Sequence, residues 1–118
     1  MLCHVVLFRP RSAMTAADRS LLADAFEVAR RDIPSVRTFR VGRRTRLGGS
    51  YDATMDEHFP YAAIVEFEDA AGLQQYLQHP AHEALGTLFG RLAEAALIYD
   101  FEMLDSVTDI RQMADTDG

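Results

Sequence analysis

Seven residues near the start of the chain, Leu2 to Phe8 (Leu-Cys-His-Val-Val-Leu-Phe), restrict the fold more than any other stretch. Read at a period of two, Leu2, His4, Val6 and Phe8 share one face, and Cys3, Val5 and Leu7 share the other. Both faces are mainly apolar, which predicts a strand covered on both sides. Arg9-Pro10-Arg11-Ser12 ends it, because proline cannot donate to a central ladder. A chain of 118 residues forms one domain with a single modest core. One layer of helices can cover one face, and the other needs a different partner.

The order of the remaining elements says which fold supplies that arrangement. Thr15 and Asp18 resemble a capping box, with Asp in place of the usual Glu. Leu22, Ala25, Phe26, Ala29 and Ile33 follow at helical spacing to about residue 31, where Arg30 and Arg31 suit the end of the dipole. Pro34 stops this helix. Val36 to Val41 reads as a shorter strand closed by Gly42, and residues 43–58, with Gly48-Gly49-Ser50, read as a long functional or mobile loop. Tyr61 to Phe67 alternates as a third strand. Asp69 is a good N-cap for a helix from Ala70 to Gln78. Pro80 opens a second helix that runs to about Glu94 on Leu85, Leu88, Phe89 and Leu92, and Leu97 to Met103 is the fourth strand.

The order β-α-β-β-α-(α)-β predicts an α+β, ferredoxin-like protomer whose four-stranded antiparallel sheet carries its helices on one face. The opposite face, presenting Leu2, Val6 and Phe8 or their alternates, would leave a large apolar patch in water. A homodimer packed sheet against sheet removes it. The expected domain is residues 1–103, and residues 104–118 form an acidic, weakly patterned tail, frayed or clasping a partner.

Composition narrows the chemistry. All twelve basic residues are Arg, so Schiff-base and pyridoxal-phosphate chemistry, which need a lysine amine, are excluded. Residues 1–46 carry ten Arg against four acids, and residues 47–118 carry two Arg against fourteen. The cluster Arg37, Arg40, Arg43, Arg44 and Arg46 reads as solvated surface. In a chain of net charge −6 it makes nucleic acid an unexpected partner. No apolar run approaches the ~20 residues of a membrane span, and the N-terminus does not read as a signal peptide. Cys3 is the only cysteine and reads as a small core residue, which with the missing leader points to the cytoplasm. Neither a phosphate-binding Gly loop nor a nucleophile elbow is present, and no cofactor is expected.

One stretch gathers proton-transfer groups: Tyr76-Leu77-Gln78-His79-Pro80-Ala81-His82. Pro80 suits the first helical position, which makes His79 the N-cap and puts His82 in the first turn. There the positive end of the helix dipole disfavours imidazolium and keeps a neutral base. Tyr76, near the end of the preceding helix, could donate to a carbonyl oxygen that gains charge on enolisation. His79 and His82 have the spacing to chelate a metal, but a third ligand is lacking, so no metal is expected.

Several of these strings together resemble the Dabb family, the stress-responsive dimeric α/β-barrel domains. They are Cys3-His4-Val5-Val6-Leu7-Phe8, Val41-Gly42, Ile64-Val65-Glu66-Phe67-Glu68, Tyr76-Leu77-x-His79-Pro80-Ala81-His82 and Leu97-Ile98-Tyr99-Asp100-Phe101. The resemblance implies two ferredoxin-like protomers whose sheets form a barrel. One branch of the family contains polyketide cyclases. By that likeness His82 would be a general base, Tyr76 would orient the substrate carbonyl and His4 would line the cavity. Tyr61 stands where those cyclases carry a further cavity histidine, and Phe8, Leu85 and Phe89 are the expected apolar walls. The leading expectation is a homodimeric binder of a small apolar or carbonyl-containing molecule near His82. The alternatives are a cofactor-free cyclase or lyase acting on a β-keto substrate, a cofactor-free monooxygenase or haem-degrading protein, and a purely structural stress protein.

Overall fold

A computed structural model describes residues 1–114. Its elements are β1 (Leu2–Pro10), α1 (Ala16–Asp32), β2 (Thr38–Arg43), α2 (Ser50–Thr54), β3 (Tyr61–Phe67), α3 (Ala70–Gln78), α4 (Pro80–Leu92) and β4 (Ala93–Glu102), followed by a 3-10 helix, Val107–Gln112. The strands form one antiparallel sheet in the order β2-β3-β1-β4. This is the ferredoxin-like order, and the sheet is open, with β2 and β4 at its edges.

Residue parity decides what each face carries. His4 and Phe8 of β1, Ala63, Val65 and Phe67 of β3, and Phe39 of β2 turn to the helices. They pack there with Leu22 and Ala29 of α1 and Ile33 at its C-cap, Leu73 and Tyr76 of α3, and Leu85 of α4. Phe67 and Ala29 are fully buried. Local sequence holds the helices in place. Thr15 and Asp18 form the capping box of α1, and the Asp69 carboxylate accepts the Gly72 N–H at 2.9 Å. A Cβ on Gly72 would lie 3.3 Å from Phe67 Cβ, so glycine lets the first turn of α3 sit directly on the sheet. That close seat aims Tyr76, one turn later, into the core.

Several boundaries differ from those expected, each for a physical reason. β2 starts at Thr38, because the Val36 N–H is spent on the Ile33 carbonyl in a turn after Pro34. Gly42 lies inside β2, paired with Ala62, rather than closing it. The expected loop 43–58 contains α2, a five-residue helix after Gly48, which takes a positive φ of 77°. β4 begins at Ala93 rather than Leu97, and α4 stops at Leu92. Ala93 to Ala96 has helical composition, but pairing with Phe8 to Pro10 overrides it. Within the tail, Ser106 and Asp109 make a capping box for the 3-10 helix, where weak pattern predicted none. Cys3 is half-buried on the open side of the sheet and is not a core residue.

That open side is the face β1 shares through Cys3, Val5 and Leu7, flanked by Ile64 of β3 and by Leu97, Tyr99 and Phe101 of β4. Tyr99 and Phe101 are about half exposed. No described helix is long and apolar enough to cross a membrane.

Candidate active site

Three elements deliver the three proton-transfer side chains to one place. His4 arrives on β1 by parity with Val6 and Phe8, and at 4% exposure it is the one buried polar residue among those described. Tyr76 comes from α3, 2% exposed, with its ring 5.6 Å from that of His4 in an edge-on arrangement. His82 comes from the first turn of α4, its ring 4.7 Å from that of Tyr76. The elbow that brings α3 and α4 together is built as the sequence predicts. Pro80 is the first helical residue, and His79 is the N-cap, its Nδ1 accepting the Ala81 N–H at 3.0 Å. With Nδ1 so occupied, His79 acts as a cap and not as a chelating partner for His82.

Environment sets the protonation of this cluster. Burial pushes the Tyr76 phenol up to about 12, so it remains a hydrogen-bond donor at neutral pH. Burial also lowers the His82 pKa, as does the nearby His4, while the ring's hydrogen bond to the Leu77 backbone pulls the other way. A neutral imidazole beside a protonated phenol is a base beside a donor. His4 has a partner that sequence reasoning missed: Nδ1 lies 2.6 Å from Oδ1 of Asp100, its cross-strand neighbour on β4. With Nδ1 engaged by Asp100, Nε2 is the ring's remaining hydrogen-bonding atom.

The cluster lines a cavity of about 430 Å³ between α4 and the edge strand β4. Leu85 and Phe89 form its apolar wall with Phe26, Phe39 and Ile98. Gly86 and Gly90, one helical turn apart on α4, also line it, and a Cβ at either would meet nothing within 4 Å. Paired glycines in a helix interior, each about 1 kcal/mol less favourable than Ala, were the legible sign of an open flank there.

Phe8 and Tyr61 stand apart from this cavity. Their rings stack on each other at 5.4 Å, and with Leu22 they line a second groove of about 390 Å³ on the α1 side. Phe26 and Phe39 form the partition common to both spaces. His58 lies in the segment between β2 and β3, its Nδ1 2.8 Å from an Arg44 nitrogen. Among the described residues, no three His, Cys, Asp or Glu side chains are grouped to hold a metal.

With this geometry in hand, comparison with known proteins gives a consistent result. The model of the stress-responsive A/B barrel domain matches residues 2–103. No curated protein matches the chain. Among solved structures, a Dabb family protein with a ferredoxin-like fold from Mesorhizobium loti is 23% identical, with a TM-score of 0.70 over 87% of this chain and 96% of that one. A hydroxynitrile lyase from Passiflora edulis is 13% identical, with a TM-score of 0.73 over 89% and 94%. A dimeric protein of unknown function and ferredoxin-like fold from Bacteroides fragilis is 24% identical, with a TM-score of 0.62 over 86% and 95%. At these identities the likeness shows the fold.

Proposed function

The chain belongs to the stress-responsive A/B barrel domain (Dabb) family, and from that premise we propose that it is a homodimeric binder of a small apolar, carbonyl-containing molecule. The observation that carries this reading is the convergence of His4, Tyr76 and His82 on one largely apolar cavity of about 430 Å³. That volume lies in the range of small-molecule sites, where few polar groups in an apolar lining fix a ligand's orientation. Tyr76, held protonated, donates to the carbonyl oxygen. The Leu85 and Phe89 side takes the apolar body. An open cavity beside His82 supports binding over a filled, purely structural interior.

The dimer reading rests on the apolar open face of the sheet and on neighbours of this fold that are dimeric. Two sheets packed face to face would complete the barrel and cover Tyr99 and Phe101.

A second reading is favoured by the pairing of a neutral His82 with a protonated Tyr76. That pair is suited to proton abstraction beside a carbonyl without a cofactor, the chemistry of a cyclase or lyase on a β-keto substrate. The same scaffold carries a hydroxynitrile lyase in another protein.

Proton NMR on titration with a β-diketone tests the first reading: the ring signals of His4, His82 and Tyr76 shift together and saturably. An absence of shifts at these three rings defeats it. For the second reading, His82→Ala keeps the folded spectrum and lowers turnover of a poly-β-ketoacyl thioester by at least about a hundredfold. Undiminished turnover removes His82 as the base.

A further inference from the structure

The cavity has a second end whose chemistry is unlike the first. The strand register sets its length: His4 pairs with Asp100, Val6 with Ile98 and Phe8 with Ala96. Along α4, His82 is followed by Leu85, Gly86, Phe89 and Gly90, so the wall extends ~12 Å from the histidine end at 1.5 Å per residue. At the far end the ladder slips. Arg9 pairs with Ala95 and Pro10 with Ala93, which leaves Glu94 as the extra residue of a β-bulge. Bulges redirect side chains and recur beside functional sites, and Glu94 lines the cavity.

The charge at this end is fixed. Glu94 accepts from Arg9 Nε at 2.9 Å. The same guanidinium donates through Nη1 to Glu57 at 3.1 Å and to the His58 carbonyl at 3.0 Å, and lies 5.1 Å from the centre of the Phe59 ring. One cation is therefore shared between two carboxylates, and of these three side chains only Glu94 lines the cavity. Among the described residues no Arg side chain lines the cavity, while Phe26, Phe39, Tyr76 and Phe89 do. Aromatic faces and a lining carboxylate whose cation lies outside the lining favour a neutral or positive guest and oppose an anion.

We infer that Glu94 is a specificity-determining residue: the cavity takes carbonyl compounds whose outward end is uncharged or bears an amine, and rejects those ending in a carboxylate or phosphate. This rests on the binding reading above, with the carbonyl at the His82 end, and adds the class of ligand.

Three biphenyl methyl ketones test it, alike except for a methyl, an aminomethyl or a carboxylate on the ring far from the ketone. In calorimetric titration of the full chain, the aminomethyl and methyl probes bind about fivefold more tightly than the carboxylate, the upper scale of a half-exposed charge contact. In Glu94→Gln the gap closes to about twofold, and in Glu94→Arg the carboxylate becomes the preferred probe. Glu57→Gln, on the side of Arg9 away from the cavity, keeps the original ranking. If all three probes bind the native chain alike, or if the ranking survives Glu94→Arg, the inference fails while the binding reading stands. If none binds, the binding reading itself falls, and the inference falls with it.

Discussion

The two faces of the sheet are made from the same strands and do different work. On β1, His4 and Phe8 are buried under helices, while Val5 and Leu7, their immediate neighbours, look out from the open side. On β3, Ala63 and Val65 are sealed in the core, and Ile64 between them is not. The helix-covered face holds the core and the candidate site; the open face holds apolar surface of the kind that two copies bury together. Because side-chain direction alternates at every residue, a shift of one position exchanges the two roles. Substitutions on adjacent residues should accordingly give different kinds of failure, and that difference is measurable.

The largest effect belongs to the covered face. Phe67→Ala, at a fully buried position, is expected to cost about 3–5 kcal/mol in urea denaturation. A loss below about 1 kcal/mol would mean that the core does not depend on this face. On the open face, Tyr99→Asp is expected to weaken self-association about a hundredfold by sedimentation, because a carboxylate would be buried unpaired at the sheet–sheet contact. Its circular dichroism should stay native. If Tyr99→Asp unfolds the chain instead, the two faces are not separable.

A smaller effect is expected inside the covered face, between its core and its site. Asp100→Ala removes the partner of His4 Nδ1 and should weaken carbonyl-ligand affinity about tenfold, in the range for loss of a charge-assisted hydrogen bond. The unfolding midpoint should move little, since the Asp100 side chain is 42% exposed. The smallest effects are titrations. The His82 pKa is lowered in the fold, so the unfolded chain binds more protons as pH falls below the ordinary histidine value. Stability is therefore full above that value and declines below it, and His82→Gln should flatten the decline. Tyr76 is shifted in the opposite sense. Its contribution is present below its ordinary value of 10.0 and is lost as pH rises toward about 12, which phenolate absorbance should report.

Local signals were the readable ones. Asp69 and His79 each define a helix start through a bond to a residue two or three positions away, Pro80 does so through its fixed φ, and the helices begin where those residues predict. The faces of β1 could be read from alternation alone. Long-range pairing was not visible in the same way. Asp100 is 96 positions from His4, and no local pattern connects them. The start of β4 was hidden because Ala93 to Ala96 suits a helix until β1 is beside it. Phe8 and Tyr61 were expected beside the His82 cavity, but parity gives a face and not a position along the strand. Their place lies beyond the Phe26 and Phe39 partition.

The pairing of β1 with β4 also bears on how the molecule comes into being. The Met103 N–H donates to the Met1 carbonyl at 2.9 Å, and the ladder between them joins the first strand to the fourth. During synthesis, β1 waits for nearly a hundred residues before its neighbour exists, a high-contact-order closure that slows folding. His4 and Asp100 meet only at that closure. Until β4 docks, the nascent chain has a histidine without its carboxylate, a cavity without its outer wall, and β1 with one edge unpaired.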